Sequence, residues 1–340
     1  MSNPLIDVIV PVYNGEKYIP GFLKQFEDQN CAENRVHFIF VDDGSEDKTL
    51  RLLEEASGSG QIPLSVIPCQ HRGVSAARNE GIRSSEADYI AFFDVDDICS
   101  SDYVSSLSDA AKNGGFDLLL FCSKVIFDGS GIEEGDGTGN PEVLTCDSKK
   151  DLLEELMTYN GRFGGTRCIL LRKAFVDQHR LTFAEGYPYY EDFEYLYRVI
   201  AEADGGIKIL DRWLYGYVAL HDGSAMARFN QERIRCLSIL KDLEPLFDSK
   251  VPEFAPYYRR YGVSRIYWSV LWQAALAAPS YGTFKRFAAD TGAKDNMRSL
   301  AGFPDRKVKL LRRLFLMSKA LYYLTVRVLG RRYSKVKWDM

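Results

Sequence analysis

The chain has 340 residues, of which 46% are hydrophobic and 26% charged, and its formal net charge is −4. This composition is typical of a globular protein with one large domain and an appendage, or with two domains. The acidic balance argues against a general nucleic-acid-binding protein, so no nucleic-acid partner is expected. The seven cysteines form no C-x-x-C pair, which favours reduced thiols over disulfides or a zinc site. The sequence shows no signal-peptide pattern and no long apolar run that predicts a membrane-spanning helix, so we expect a cytoplasmic protein.

The first hundred residues alternate short apolar strands with amphipathic helices. The predicted strands are Leu5–Val12, Val36–Val41, Ile62–Pro68 and Tyr89–Phe93, and the predicted helices are Glu16–Gln29, Asp47–Ala56 and Gly73–Ser84. Pro20 is compatible with the first helix only in its first turn, so that helix should begin a few residues after Glu16. This alternation predicts an α/β fold, Rossmann-like, with a mostly parallel sheet and helices on both faces.

The fourth predicted strand runs directly into three carboxylates, Asp94, Asp96 and Asp97. In open α/β sheets the ligand crevice lies at the carboxyl ends of the strands. Three like charges within four residues repel one another unless a cation lies among them, and Mg²⁺ or Mn²⁺ prefers such oxygens. A solvated acidic turn is the alternative that this segment alone leaves open.

Other strand ends bring polar side chains to the same edge of the predicted sheet. Tyr13 can stack on a base, Asp42 or Asp43 can accept a hydrogen bond from a base or ribose, and Arg78 can contact a phosphate or a base. The simpler alternatives are that Asp43 caps the next helix and that Arg78 is an exposed helix residue. No G-x-G-x-x-G follows the first strand and no P-loop is present, which disfavours a dinucleotide fold or a P-loop enzyme.

Four segments in this order resemble the signature of family 2 glycosyltransferases: Val8–Asn14, Val41–Asp47, Gly73–Asn79 and Phe93–Asp97. The resemblance is close from residue 5 to about 105 and looser to about 225. It implies the GT-A fold, a nucleotide-sugar donor and a divalent cation, Mn²⁺ or Mg²⁺. The donor-binding residues carried over from it, with neighbours in the same motifs, are Pro11, Tyr13, Asn14, Asp42, Asp43, Gly73, Ser75, Arg78, Asp94 and Val95. The implied metal ligands are Asp96, Asp94 and, further along the chain, His221, which is otherwise a surface-loop histidine.

A second acidic pair, Glu191 and Asp192, follows an aromatic segment that predicts a turn into a helix. Anions at a helix start are stabilised by the macrodipole, so a purely structural role is one alternative. The resemblance implies instead that Asp192 is the catalytic base and Glu191 its supporting partner. A sugar hydroxyl must lose its proton as it attacks, and a positioned carboxylate supplies that base. One base opposite the leaving group predicts inversion at the anomeric carbon.

The rest of the chain contains further strand and helix patterns and a basic end. Strands are predicted at Phe116–Phe127, Thr166–Leu171 and from Leu210, helices at Ser148–Tyr159, Arg233–Phe247 and Val263–Ala277, and a surface excursion at Asp128–Pro141. From Arg306 to Lys337 there are eleven Lys or Arg residues and no Asp or Glu, interspersed with apolar residues. A basic amphipathic helix is typical of an element bound to an anionic membrane surface. The alternative is a helix packed on the catalytic domain with a solvated basic face.

Together these patterns predict a GT-A catalytic domain in residues 1–228 and a helical region with a basic tail in residues 229–340. The expected activity is that of an inverting hexosyl- or N-acetylhexosaminyltransferase, with a UDP-sugar or other nucleotide sugar as donor. The expected acceptor is a saccharide or lipid-linked saccharide of cell-surface polysaccharide assembly, used at the inner face of the plasma membrane. Two alternatives are an inactive nucleotide- or carbohydrate-binding scaffold and a nucleotidyltransferase, although Gly15 and Lys17 make a poor nucleotidyltransferase loop. Self-association into a homo-oligomer is left open.

Overall fold

The computed structural model describes residues 4–126, 143–158, 162–219, 228–330 and 337–338. The chain divides into two units, one formed by Met1–Lys149 and Asn160–Val218 and the other by Lys150–Tyr159 and Ala219–Met340. The domain boundary expected after residue 228 stays a prediction. The surface excursion expected at residues 128–141 lies outside the described residues.

The elements of the first unit alternate as the sequence predicts. Its strands are β1 Ile6–Val12, β2 Val36–Asp42, β3 Leu64–Pro68, β4 Tyr89–Phe92, β5 Ile98–Cys99, β6 Leu118–Ile126, β7 Val143–Thr145, β8 Ile169–Arg172 and β9 Ile207–Val218. The helices up to residue 202 are α1 Ile19–Glu27, α2 Thr49–Ser59, α3 Val74–Ser84, α4 Tyr103–Asn113, α5 Lys149–Thr158, α6 Lys173–Gln178 and α7 Glu191–Glu202, of which α5 belongs almost wholly to the second unit. Pro20 lies in the first turn of α1, as its missing N–H requires.

Among the described residues, the strands form one nine-stranded sheet in the order β3-β2-β1-β4-β8-β6-β9-β5, with β7 paired to β9. The pairs β1–β2, β1–β4, β2–β3 and β6–β9 are parallel, whereas β8 is antiparallel to both β4 and β6. Six of the nine strands therefore run in one direction, and the prediction of a mostly parallel α/β sheet is confirmed. The strand predicted from Thr166 begins only at Ile169, because Gly165, at φ +74°, leads the chain into a short 3-10 helix, Gly165–Cys168.

Helices cover both faces of the sheet. Phe22 of α1 packs edge-on against Phe40 of β2, with ring centroids 5.0 Å apart. Ala77 of α3 packs against Val41, the next residue of the same strand. Since successive strand residues point to opposite faces, α1 and α3 lie on opposite sides. This layering leaves the carboxyl ends of β1, β2 and β4 together at one edge.

The second unit is mainly helical. Its elements after residue 219 are β10 Arg228–Phe229, α8 Glu232–Cys236, α9 Leu243–Lys250, α10 Ala255–Ala277, α11 Tyr281–Asp290, α12 Ala293–Ser299, α13 Arg306–Met317, α14 Lys319–Leu329 and β11 Lys337–Trp338, with a 3-10 helix at Leu237–Asp242. The single helix predicted at Arg233–Phe247 is wrong, because Pro245 is tolerated only in a first turn and α9 restarts just before it. The basic tail forms two helices rather than one, and the Ser318 hydroxyl caps the second. No helix in the part of the chain that the structure describes is long and apolar enough to span a membrane.

Candidate functional site

Asp94 is the second residue after β4, and its carboxylate lies between two arginine side chains. Arg78 Nη2 is 3.0 Å from Asp94 Oδ1, and Arg167 Nη1 is 3.1 Å from Asp94 Oδ2. Arg78 comes from α3, and Arg167 from the 3-10 helix before β8. Burial disfavours the charged form, but the two guanidiniums outweigh it and lower the pKa of Asp94. Asp94 therefore holds both arginines at the end of β4.

Arg78 connects this aspartate to the second acidic pair. Its side chain is buried, and its Nη1 is 3.4 Å from Glu191 Oε1, while its guanidinium carbon lies 5.2 Å from the centre of the Phe183 ring. Burial opposes the charge, yet Asp94 and Glu191 raise the pKa of Arg78 above its usual value. The alternative that Arg78 is an exposed helix residue is wrong. Its Nε has no hydrogen-bond partner among the described residues.

Glu191 and Asp192 open helix α7, as the sequence predicts. Glu191 is buried, and burial together with the charge of Asp192 raises its pKa to about 7, against the opposing effect of Arg78. Asp192 is half-buried, and its Oδ2 would lie 3.7 Å from a Cβ placed on Gly165. Its carboxylate therefore lies beside the segment that carries Arg167. One guanidinium thus joins the end of β4 to the start of α7.

Asp97 fixes the turn after β4. It is buried, accepts a hydrogen bond from the Tyr215 hydroxyl at 2.5 Å, and accepts a second from the Val218 N–H at 2.8 Å. Burial raises the pKa of Asp97 to about 7; Arg167 opposes this shift, while the charges of Asp94 and Asp96 add to it. The Tyr215 hydroxyl also accepts from the Asp94 N–H at 3.3 Å. These bonds tie the acidic turn to β9, a role of Tyr215 that the strand pattern from Leu210 did not predict.

The fit of a divalent cation differs among the three predicted ligands. Both oxygens of Asp94 carry guanidinium contacts, so a cation bound at Asp94 would lie close to two positive side chains that oppose its binding. Asp96 is half-buried in the same turn and fits the position of a ligand, while His221 lies outside the described residues. In the described part of the chain no three His, Cys, Asp or Glu side chains form a metal-binding group. The metal roles of Asp96, Asp94 and His221 therefore stay predictions.

The donor motifs of β1 and β2 meet at the same edge of the sheet. Pro11 is buried opposite Val41, and Val12 lies opposite Asp42 in the parallel ladder. Tyr13 is 44% exposed and stacks on His71, with ring centroids 4.1 Å apart. The Asp42 carboxylate is buried, and the one hydrogen-bond donor that it meets among the described residues is the Ser45 N–H, at 3.4 Å from each oxygen. The exposed ring of Tyr13 and the weakly hydrogen-bonded carboxylate of Asp42 suit a base and a ribose. The structure thus brings these two predicted donor-site residues to one edge of the sheet.

Asn14 joins two loops at this edge. Its N–H donates to Ser45 Oγ at 2.9 Å, and its Oδ1 accepts from the Glu46 N–H at 2.8 Å. Asn14 adopts a left-handed conformation at φ 51°, which asparagine tolerates better than most residues. Asn14 is thus occupied in holding the loop that carries Tyr13, and its predicted donor contact stays a prediction.

Asp43 holds the approach to α3. Its two oxygens accept from the Arg72 and Gly73 N–H groups, each at 2.8 Å. The alternative that Asp43 caps α2 is wrong, because α2 begins only at Thr49, whereas the Asp43 oxygens bind the N–H groups that precede α3. Gly73 adopts φ +94° immediately before the helix, a conformation open to glycine. Asp43 and Gly73 therefore position α3, and direct contact of either with a donor stays a prediction.

Two further predicted donor-site residues lie near this edge. Ser75 is buried in the first turn of α3, and its hydroxyl has no partner among the described residues. An unpaired buried hydroxyl is costly unless a ligand or water satisfies it, so Ser75 remains a good candidate. Val95 is half-buried and lies 3.5 Å from a Cβ placed on Gly15, so it packs beneath the first loop.

Asn79 was given no role from the sequence, yet it clamps the segment that leads to α7. Its Nδ2 donates to Phe183 O at 2.9 Å and to Glu185 Oε1 at 3.1 Å, and its Oδ1 accepts from the Phe183 N–H at 2.7 Å. Asn79 is 3% exposed. It follows Arg78 on α3, so adjacent residues bind both ends of the chain segment 183–191. Only its place in the third motif could have drawn attention to it.

Comparison with known proteins agrees with this geometry. Residues 7–178 match the sequence family described as Glycosyl transferase family 2. The uncharacterized glycosyltransferase EpsJ of Bacillus subtilis is 27% identical over 226 residues, 63% of this chain and 61% of EpsJ. The poly(ribitol-phosphate) beta-N-acetylglucosaminyltransferase TarS of Staphylococcus aureus is 24% identical over 222 residues, 65% of this chain but 36% of TarS. This chain therefore spans less than two thirds of the length of these relatives.

Solved structures show the same fold over nearly the whole chain. The crystal structure of residues 1–349 of S. aureus TarS matches 96% of this chain and 91% of the TarS fragment, with a TM-score of 0.63 at 18% identity. The structure of the same fragment in complex with UDP-GlcNAc matches 98% of this chain and 93% of the fragment, with a TM-score of 0.60 at 19% identity. A mannosyltransferase of Pyrobaculum calidifontis in complex with GDP-Man and Mn²⁺ matches 99% and 86% with 0.53 at 14% identity. The expected GT-A fold with a helical C-terminal region is thus confirmed. The chain belongs to glycosyl transferase family 2.

Proposed function

We propose that the protein transfers a sugar from a nucleotide-sugar donor, with UDP as the expected nucleotide, to a hydroxyl of an acceptor with inversion. The observation that carries this proposal is the Asp94–Arg78–Glu191 connection, with contacts of 3.0 and 3.4 Å. Through it the donor motif at the end of β4 and the acidic start of α7 share one buried guanidinium. Donor and acceptor groups would therefore meet at one place, as group transfer requires.

Asp192 is the proposed general base. Its neighbour Glu191 is buried against Arg78, whereas Asp192 is less buried and open to an incoming hydroxyl. As that hydroxyl attacks the anomeric carbon, Asp192 takes its proton, and the bond to the nucleoside diphosphate breaks on the opposite face. Arg78 and Arg167, both held by Asp94, supply positive charge close to the leaving group. Glu191 positions Arg78.

We propose that Asp96 holds a divalent cation together with oxygens of the donor diphosphate. A carboxylate and phosphate oxygens are the donor set that Mg²⁺ and Mn²⁺ prefer. A bound cation would offset the negative charge that gathers on the leaving diphosphate. Support comes from the half-buried position of Asp96 at the strand end and from Mn²⁺ in the P. calidifontis mannosyltransferase complex.

The substrates are proposed from the relatives. TarS is named as an N-acetylglucosaminyltransferase acting on poly(ribitol-phosphate), and its fragment was solved with UDP-GlcNAc. These names support an N-acetylhexosaminyl donor, and the acceptor that we propose is a saccharide or lipid-linked saccharide of cell-surface polysaccharide assembly. We propose a cytoplasmic location, peripheral on an anionic membrane, and the basic composition of residues 306–337 supports the membrane contact.

The test separates donor binding from transfer. Asp192→Asn should keep donor affinity, measured by calorimetry with UDP-sugars and Mn²⁺, while transfer falls by about a hundredfold or more, since a general base contributes 10²–10⁴-fold. Asp177→Asn, on an exposed carboxylate of α6, is the control and should behave as wild type. Turnover that survives in Asp192→Asn would assign the base elsewhere. Donor binding without turnover on any acceptor, in the wild type, would instead favour a binding scaffold.

The metal role has its own test. Asp96→Ala should weaken donor binding in the presence of Mn²⁺ and leave the residual binding insensitive to EDTA. Wild-type binding should fall to the same residual value when EDTA is added. Equal Mn²⁺ dependence in the wild type and in Asp96→Ala would exclude Asp96 as the ligand.

A further inference from the structure

Helices α13 and α14 carry most of the exposed large hydrophobic side chains among the described residues. The described residues contain ten large hydrophobic side chains that are exposed, and seven of them lie within 20 residues of each other: Leu310, Leu316, Met317, Leu321, Leu324, Val328 and Leu329. Scattered single exposures are normal on a protein surface, whereas a cluster marks an interaction site. We therefore expect the exposed side of these two helices to bind another molecule.

Helix α14 has one face in the core and an apolar face towards solvent. Tyr322 and Val326 are fully buried, which fixes the inner side of the helix. Leu321, Leu324 and Val328 are 43%, 60% and 60% exposed. Their i, i+3 and i+7 spacing places them along one stripe on the opposite side. A large part of each of these side chains is therefore left to solvent, although its burial would be favourable.

Helix α13 adds cations next to apolar side chains. Its inner side is marked by the buried residues Leu311 and Phe315. On the opposite side, Arg306, Leu310, Arg313 and Met317 follow one another at helical spacing, and all four are exposed. From residue 306 to residue 330 the sequence has seven Lys or Arg residues and no Asp or Glu. The surface is thus apolar and positively charged at once.

We propose that α13 and α14 dock on the surface of an anionic lipid bilayer. The Leu321–Leu324–Val328 stripe enters the boundary between head groups and acyl chains, and the α13 cations contact the lipid phosphates. An interfacial helix combines these two features, because apolar burial and attraction to anionic lipid act together. The charge argues against a second copy as the partner, since a two-fold symmetric contact through this face would bring like charges together.

Binding to vesicles tests the proposal directly. Wild-type protein should sediment with vesicles of phosphatidylcholine and phosphatidylglycerol at 3:1, and much less with pure phosphatidylcholine. The double variant Leu324→Gln, Val328→Gln should bind about a hundredfold more weakly, at about tenfold for each buried aliphatic side chain. Leu144→Gln, on an apolar residue of β7 that is 50% exposed, is the matched control and should bind as wild type. Gln favours helix, and circular dichroism checks that each variant is folded.

Separate variants test the contribution of the α13 cations and the insertion of the α14 stripe into the bilayer. The triple variant Arg306→Gln, Lys309→Gln, Arg313→Gln should lose the preference for phosphatidylglycerol, while three exposed cations elsewhere, Arg51, Lys112 and Lys241, serve as the matched control when changed to Gln. The emission of Leu324→Trp should shift to the blue when anionic vesicles are added, and that of Leu144→Trp should not.

Two results would overturn the proposal. One is wild-type protein that stays in the supernatant with anionic vesicles. The other is a dimer in light scattering that the double variant converts to monomer, which would assign the α14 stripe to self-association. Neither result depends on glycosyl transfer, because the surface shares no residue with the proposed active site. A failure here leaves the catalytic proposal untouched, and the reverse also holds.

Discussion

Replacing Asn79 by alanine should both destabilise the fold and impair transfer. The Asn79 amide makes three hydrogen bonds, two to the N–H and C=O of Phe183 and one to Glu185. Alanine leaves the two Phe183 backbone groups without this partner in a buried position. An unsatisfied buried group costs about 1–3 kcal/mol, so we expect the loss of two such bonds to lower the free energy of unfolding by about 2–6 kcal/mol.

The effect on catalysis follows from the position of the clamp. The segment after Phe183 leads into α7, which begins with Glu191 and the proposed base Asp192. Once Asn79 is removed, the remaining contacts between this segment and α3 that the described residues show include those of Arg78 with Glu191 and with the Phe183 ring. A shift of about 1 Å at a catalytic group can cost about a hundredfold in rate. We therefore expect kcat to fall more than donor affinity, because the donor loops at Tyr13 and Asp42 do not involve Asn79.

Urea unfolding and steady-state kinetics measure these two effects, and Asn79→Asp sharpens them. The aspartate still accepts from the Phe183 N–H, but it cannot donate to Phe183 O and its charge faces Glu185. Burial and the charge of Glu185 would raise the pKa of this aspartate, so its stability deficit should shrink as the pH falls towards about 4, the ordinary pKa of an aspartate. Asn34→Ala, which removes one bond to the Asn30 carbonyl, is the control. A loss below about 0.5 kcal/mol in Asn79→Ala would refute the clamp.

Two further predictions concern the arginine cluster. The contribution of Glu191 to the free energy of unfolding should fall as pH rises from about 4.5 to about 7, because the folded state holds the Glu191 proton more tightly than the unfolded chain does. Glu191→Gln should therefore flatten that part of the curve of unfolding free energy against pH. An unchanged slope would contradict a raised pKa at Glu191. Arg167→Lys should lower kcat/KM by about 10- to 100-fold, because an ammonium group cannot both bond Asp94 and cover the Tyr217 ring as the planar guanidinium does. The control Arg51→Lys, on an exposed arginine, should leave kcat/KM unchanged.

The sequence predicted the features that arise from local pattern. The apolar run Tyr89–Phe93 and the acidic residues after it place Asp94 and Asp96 at a strand end, because a short apolar run bounded by charge is typical of a buried strand. The order of the strands and helices then predicts a parallel sheet, and a parallel sheet brings the ends of β1, β2 and β4 to one edge. Each step uses a spacing of fewer than about ten residues, over which side-chain periodicity is informative.

The contacts that the sequence did not predict join residues far apart in the chain. Arg167 reaches Asp94 across 73 positions, and Asn79 reaches Phe183 across 104. Neither contact has a spacing rule, since it depends on how β8 and the segment before α7 return to the sheet. The strand predicted from Thr166 failed for a related reason: Gly165 turns the chain there and so places Arg167 over the acidic turn. The roles of Arg167 and Asn79 therefore depend on their positions in the folded chain rather than on local propensity.

The charges at the edge of the sheet bear on how a donor can bind at all. Five carboxyl groups and two guanidiniums interact there: Asp94, Asp96, Asp97, Glu191 and Asp192 with Arg78 and Arg167. Arg78 and Arg167 already carry ion pairs to Asp94 or Glu191, so their positive charge is largely offset before a donor arrives. A nucleoside diphosphate brings further negative charge to the same place, where partial burial strengthens repulsion. The cations of this site alone therefore do not balance a bound donor, and a cation that enters with the diphosphate resolves this excess most simply.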